Sequence, residues 1–408
     1  MRILHTSDWH LGSSLEGVSR EADHAAFLEW LAQTLEREAV DVLVVAGDVF
    51  DQAQPSSEAQ RLYYRFLTRI RGGPLRKVVI VGGNHDSAAR LDAPREVLEA
   101  LDVHVVGGLH DEASWERCLC PIPDRQGGTG AVVLAVPFLH EYRLGLRTAL
   151  VSDADLRRSF QDAFQRFYRD RVDQARARFD GAPVLATGHL TCVGYEPGDF
   201  PVDVHRVGTI GGLSADLFDP RLQYVALGHI HRSYRVGESR AYYSGSPVAL
   251  CLKEAVTPRR VRIVDLAAGP DEAAKVRTLD VPSTRPLLEL QGTLKSVEAQ
   301  LVALEWETAL PPIVYARVEV ERFSAAAEES LRERVRARGE RAPLLVQVRQ
   351  ERKQEEGAPE VLPSRSLRDL SPEEVFVRLC QARNEPVDDG LLDAFRSLAS
   401  PDAEEGAA

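Results

Sequence analysis

Cysteine is scarce and unpatterned. The five residues, Cys118, Cys120, Cys192, Cys251 and Cys380, are odd in number and share no C-x-x-C spacing. This excludes a disulfide framework and a zinc knuckle, and reduced thiols in a cytoplasm fit the usage best. Long apolar runs are missing too: none approaches the roughly 18 residues needed to cross a bilayer. No leader segment is visible before the first polar motif, which is reached by Asp8, so export is not expected. Positive charge is in deficit, with 50 Lys and Arg against 62 Asp and Glu and a net charge of -12. That excludes a protein that holds nucleic acid by a general basic field. An acidic site whose bound cations supply the local positive charge stays open. Internal repeats and low-complexity tracts are also absent.

What is present is globular: 44% hydrophobic and 27% charged over 408 residues, enough for more than one domain. Strands are predicted over 2–6, 42–46 and 77–81. Amphipathic helices over 21–39, with Phe27, Leu28, Leu31 and Leu35 on one face, and over 57–71 complete a β-α-β-α-β run. Further strands are expected over 103–106, 131–136, 184–187 and 224–227, at Tyr242 and Tyr243, and over 261–264. A long helix over 153–179 opens on Ser152 and Asp155 in capping-box spacing and carries Leu156, Phe160, Phe164 and Phe167 on one side. The strand number suggests two sheets in an α/β domain spanning 1–280.

After Pro282 the texture changes. Strands over 287–290, 313–320 and 344–348 and helices near 297–304 and 325–336 outline a small α/β unit, 281–352. Its stretch 321–353 holds nine Lys or Arg against six Asp or Glu. A polar linker over 352–365 leads to a helical pair over 366–400. Its first helix starts with Ser371 as N-cap, Pro372 and Glu374, and has Val375, Phe376 and Leu379 on its apolar side. Its second carries Leu391, Leu392, Phe395 and Leu398, and residues 401–408 form an acidic tail.

The chemistry lies where strands end. The first delivers Asp8 and His10 in "SDWH", the second Asp48 and Asp51 in "AGDVFD", and the third Asn84, His85 and Asp86 in "GGNHD". Later strands deliver His189 in "TGH", then His229 and His231 in "LGHIH". Singly these are weak: Gly-Asp and Gly-Gly-Asn are ordinary turn chemistry that tolerates positive φ, and a lone histidine is more often a hydrogen-bonded structural group. Jointly they match the rule that ligands gather outside the C-terminal ends of strands. Carboxylate, amide oxygen and imidazole suit first-row divalent ions such as Mn, Fe or Zn. Two Asp, one Asn and four His are too many for one ion and fit two ions roughly 3.5 to 4 Å apart, with Asp48 the natural bridge.

Together the five motifs resemble the calcineurin-like metallophosphoesterases, over roughly residues 1–265. Within them "HTSDWHLG", "AGDVFD", "GGNHDS", "VALGHIHR" and "YSGSP" are similar to the double-strand-break repair nucleases of the bacterial SbcCD type. The resemblance implies a four-layer α-β-β-α sandwich with a small α/β DNA-binding cap and C-terminal helices that dock on a partner. By position it implies that Asp8, His10, Asp48 and His231 hold one ion and Asp48, Asn84, His189 and His229 the other, most simply Mn2+. His85 resembles the phosphate-contacting histidine, with Asp86 orienting it.

The implied activity is ATP-dependent 3′-5′ double-strand exonuclease and single-strand or hairpin endonuclease, in DNA repair and recombination at the nucleoid. The implied partners are a coiled-coil ATPase, SbcC, and DNA, with a homodimer inside a heterotetramer. A phosphoprotein phosphatase would place arginines where Gln52 and Gly82 stand. A small-nucleotide phosphodiesterase does not call for the residues after 282, and a non-catalytic scaffold does not call for intact ligands. Asp51 supports a ligand or begins the next helix. Residues 243–247 border the substrate cleft or form a plain turn. Cys192 reads as packing, and His5, His24, His104, His110, His140 and His205 carry no functional reading.

Overall fold

The parallel run at the N-terminus becomes the spine of a six-stranded sheet. Arg2–Thr6, Val42–Ala46, Lys77–Val81 and Val103–Val106 pair in parallel, with Arg260–Asp265 and Lys275–Asp280 added antiparallel on the other side of Arg2–Thr6. In this computed structural model the described residues are 1–110, 112–140, 153–193 and 212–352, with isolated helical positions between 373 and 395. A second six-stranded sheet has the order Tyr234–Arg235, Ala241–Tyr243, Val225–Gly228, Val184–His189, Thr129–Leu134, Leu119–Pro123.

Strand periodicity decides which side chains meet. Val42, Val44 and Ala46 enter a core shared with Val132, Leu134, Val184, Ala186 and Leu227 of the second sheet. Leu43 and Val45 turn the other way, onto Leu28, Leu31, Leu35, Phe66 and Leu67 of the helices Glu21–Arg37 and Ser57–Arg69. Helix Asp153–Arg178 lays Phe160, Phe164 and Tyr168 on the second sheet. The four α-β-β-α layers follow. Strand Leu119–Pro123 escapes sequence patterning because it contains Pro121 and Pro123, which confine it to an edge, and an edge is where it lies. The second helix starts as expected, with Ser56 Oγ accepting the Ala59 amide at 3.1 Å.

Residues 1–351 form one compact unit and 352–408 another. Inside the first, Leu287–Thr293, Ile313–Val320 and Leu344–Arg352 make a separate three-stranded sheet. Leu287, Ile313 and Tyr315 pack on Leu15, in the hairpin that follows the Asp8 loop. A buried ion triad ties the same junction: Asp23 accepts from Arg20 and from Arg285, each at 3.0 Å, with all three side chains at most 7% exposed. Removing the carboxylate strands two buried guanidinium groups, so Asp23→Ala is expected to cost about 3–5 kcal/mol. The check is the urea midpoint, and an unmoved midpoint refutes it.

The basic stretch of this segment is partly neutralised within itself. Arg332 pairs with Glu328 and Arg336 with Glu329, each at 2.7 Å. Arg338 donates to the carbonyls of Leu301, Val302 and Leu304 and so closes the C-terminus of helix Leu294–Ala303. In the second unit, Phe376 and Phe395 stack with ring centroids 4.3 Å apart. Ser152, His205, residues 353–365, Ser371, Pro372, Glu374, Val375, Leu379, Leu398 and the tail 401–408 lie outside the described residues.

Candidate metal centre

Each motif residue reaches one cleft because its loop is bolted to the next. The Asp8 amide donates to Gly47 O, the His10 amide to Asp48 O and the Leu11 amide to Val49 O, all at 3.0 Å, so the first two loops run side by side. Trp9, between Asp8 and His10, is buried against Phe27 and Phe66. Anchoring the middle residue in the core leaves its two neighbours for the cleft. Asp8, His10, Asp48 and His229 all take left-handed backbone, φ 52°, 47°, 49° and 91°. Non-glycine residues adopt that region at a cost of order 1–3 kcal/mol each, and such strain gathers at functional sites.

The glycines of "GGNHD" serve a purpose other than turn chemistry. Neither Gly82, Gly83 nor Asn84 has a positive φ, which corrects the expectation from turn preferences. A Cβ on Gly83 would stand 2.1 Å from Asp48 Oδ1, and one on Gly82 would stand 2.3 Å from Gly107 O. Absence of a side chain lets the third loop press against the second.

The donor set converges. His189 Nδ1 donates to Ala46 O at 2.9 Å, which leaves the lone pair of the neutral ring on Nε2. That nitrogen faces Asn84 Oδ1 at 2.9 Å and Asp48 Oδ2 at 3.3 Å. His229 Nδ1 is 2.9 Å from the same Asn84 oxygen. On the other side His231 Nδ1 bonds Glu254 Oε1 at 2.9 Å, so its Nε2 presents a lone pair to His10 Nε2, 3.2 Å away. His10 Nε2 is in turn 3.6 Å from Asp48 Oδ2. Acceptor atoms crowded in this way repel unless a proton or a cation stands among them.

Three groups, Asp8 with His10 and His231, Asp8 with Asp48 and His189, and His10 with Asp51 and His85, each have their ligand atoms within 4.8 Å of one another. The donor chemistry fits a pair of divalent cations of the first row. Electrostatics agree: burial alone would lower His189, but Asp48 beside it raises it to about 9. Burial likewise opposes the charge on Asp48, yet His189 and His10 hold its carboxyl below the usual range.

His85 is exposed at the edge of this crowd, its ring centroid 4.8 Å from that of His10. Its amide donates to Asp48 Oδ1 and its Nδ1 donates to the Asp51 carbonyl, both at 2.9 Å. Asp86, expected to orient His85, makes no hydrogen bond to the ring; its carboxylate bonds go to backbone amides. It accepts those of Val49, Phe50 and Gly83 at 3.1, 2.9 and 2.9 Å and staples the second loop to the third. Burial and the charge of Asp48 raise the Asp86 carboxyl to about 6 against those three donors, so it stays largely an acceptor at neutral pH. The open reading of Asp51 narrows to support: its carbonyl holds His85 and its Oδ1 is 3.3 Å from His10 Nδ1.

Support also comes from residues that spacing did not single out. Ser7 Oγ donates to Asp8 Oδ2 and is 2.8 Å from Ser244 Oγ, so "YSGSP" backs the site from behind. Tyr243 is fully buried, with its hydroxyl on Leu190 O and the Cys192 amide. Cys192 is buried packing, and His5 bonds the Tyr224 hydroxyl at 2.7 Å. Glu254 had no signal in sequence, since an acidic residue on a short 3-10 turn looks like any other.

The calcineurin-like phosphoesterase family model matches residues 1–233. A second model, SbcD_C, described as the Type 5 capsule protein repressor C-terminal domain, matches residues 283–384. The chain is 38% identical over 397 residues to the SbcD subunit of the SbcCD nuclease of Rhodobacter capsulatus, covering 92% of this chain and 93% of that one. It is 35% identical over 382 residues to the protein of the same name in Escherichia coli K12, covering 93% and 92%. For that of Bacillus subtilis 168 the identity is 32% over 295 residues, covering 71% and 72%.

Proposed function

Because the chain belongs to the calcineurin-like phosphoesterases, and by near-full-length identity to their SbcD nuclease subunits, we propose that it is the nuclease subunit of an SbcCD-type complex that hydrolyses DNA phosphodiesters. One observation carries this: the candidate ligand atoms His189 Nε2, Asn84 Oδ1 and Asp48 Oδ2 on one side, and His231 Nε2 and His10 Nε2 on the other, turn toward each other from five strand ends.

On this reading Asp8, His10, Asp48 and His231 hold one divalent ion and Asp48, Asn84, His189 and His229 the other, Mn2+ being the preferred ion. When bound, the pair lowers the pKa of water and offsets phosphate charge. The chain's own groups do the rest. Ala46 O and Glu254 fix His189 and His231 as Nε2 acceptors. His85, held at Nδ1 by Asp51 O, turns Nε2 to the scissile phosphate and in its protonated form gives a proton to the leaving oxygen. Asp86 and Gly83 keep the loop of His85 against that of Asp48.

The chain divides into a nuclease domain, 1–280, a DNA-binding cap, 281–352, and a partner-docking helical pair, 366–400. Among the described residues no helix is long and apolar enough to cross a membrane, and DNA as substrate puts the protein at the nucleoid. With a net charge of -12 it holds duplex weakly alone, so an SbcC-type ATPase contributes DNA affinity and makes 3′-5′ degradation of duplex depend on ATP. Purified with that partner, manganese and ATP, the chain is expected to shorten blunt linear duplex and to open hairpins, and chelation to stop both. Hydrolysis of monoesters or small nucleotides alone, or intact DNA with no bound ion, overturns the reading.

Truncation after Arg365 should abolish ATPase binding and leave manganese-dependent single-strand cleavage. A collapsed fold on circular dichroism instead assigns the helices to packing on the chain's own cap. Tyr64, 38% exposed, lines a cleft with Tyr63, Leu91 and Pro94, and on this reading a second copy would cover it in a homodimer within a heterotetramer. Light scattering is expected to give twice the 45.1 kDa chain mass, and a monomer at micromolar concentration refutes it.

A further inference from the structure

Outside the five motifs, one acidic side chain closes a ring of contacts around a candidate ligand. Glu254, on the 3-10 turn Leu252–Val256, bonds His231 Nδ1 through Oε1 at 2.9 Å. Its Oε2 accepts the Leu250 amide at 3.0 Å and lies 3.6 Å from Arg259 Nη1. Arg259 Nη1 donates back to the carbonyl of His231 itself at 2.9 Å. Both ends of His231, ring and backbone, are therefore held by the same pair, whose side chains are 19% and 11% exposed.

We propose that Glu254 is a positioning residue of the nuclease reaction, holding His231 in the tautomer that can bind a cation. The inference rests on the two-ion reading above. A neutral imidazole has one proton, and the nitrogen that carries it cannot ligate. A carboxylate only accepts, so its place at Nδ1 requires the proton there and leaves the Nε2 lone pair facing His10 and the ion shared with Asp8. No motif spacing identifies this role, because Glu254 follows His231 by 23 residues through an intervening strand pair.

Glu254→Gln tests it with almost no change in volume. Leu250 N–H and Arg259 both select the amide oxygen for the Oε2 position, so the amide NH2 falls opposite His231 Nδ1. It then donates to that nitrogen and drives the proton to Nε2. Manganese titration by calorimetry should give two ions in the parent and, in the variant, one ion unchanged and one weakened by about 10–100-fold. Nitrogen chemical shifts of the metal-free variant should show the His231 proton moved to Nε2. The rate constant kcat should fall with KM for DNA little changed, and the metal-free variant should still unfold cooperatively. Glu254→Asp keeps an acceptor and should restore part of the affinity, and it serves as the test if the glutamine variant does not fold. Two full-strength ions with the proton still on Nδ1 in Glu254→Gln overturn this role alone. A parent protein that binds no manganese overturns the two-ion reading instead.

Discussion

Asparagine at position 48 is expected to leave the protein folded and unable to hold its ions, with manganese-dependent cleavage down about a thousandfold or more, some 4 kcal/mol of transition-state stabilisation. Asp48 lies between ligands of the two proposed ions, at 3.3 Å from His189 Nε2 and 3.6 Å from His10 Nε2. The amide keeps the bond from the His85 amide, so the loops stay joined. What changes is a carboxylate oxygen replaced by an NH2 among lone pairs. Calorimetry with manganese and a plasmid-linear assay check it, and one intact ion site would show that Asp48 does not bridge.

The same substitution has a signature without metal. In the parent, burial opposes but Asp48 outweighs, and His189 is held up at about 9 against an ordinary 6.5. A folded value above the unfolded one contributes stability that is complete below about 6.5 and is lost as pH rises through about 9. Urea unfolding of metal-free protein on either side of that window should show the parent weakening with rising pH. Asp48→Asn should flatten this slope, and manganese should remove it in the parent.

His85→Gln is expected to keep both ions and lose about 100- to 10,000-fold in turnover, the range for a positioned acid or base. His85 is exposed, belongs to neither of the groups that contain Asp8 although it forms a third with His10 and Asp51, and has its Nδ1 committed to Asp51 O. Glutamine can imitate that bond but cannot pass on a proton. A diester with a good leaving group, which needs no protonation, should recover much of the lost rate. Near-normal cleavage of DNA by the variant would rule out the role, and lost manganese binding would recast His85 as a ligand.

How much was legible beforehand differs from residue to residue. Asp8, His10, Asp48, Asn84, His189, His229 and His231 could be picked out because polar residues at the end of an apolar strand are locally anomalous, and the anomaly recurs five times. The strands themselves were visible for the same reason. Val42 to Ala46 is buried on both faces, and a continuous apolar run between turn residues says so. The edge strand Leu119–Pro123 was not visible, since proline hides an edge strand from propensity.

Sequence alone therefore determined the β-α-β frame, the chemistry of the ligands and the order in which strands deliver them, because each is written in periodicity or turn composition within a few residues. The tertiary structure decided the rest: that Asp86 grips backbone instead of His85, that Gly83 is an empty space for Asp48, and that Glu254 and Ala46 O choose which imidazole nitrogen is free. Those outcomes depend on hydrogen bonds between loops brought together from distant parts of the chain. A proton's position on a histidine is set by whatever partner the fold supplies there.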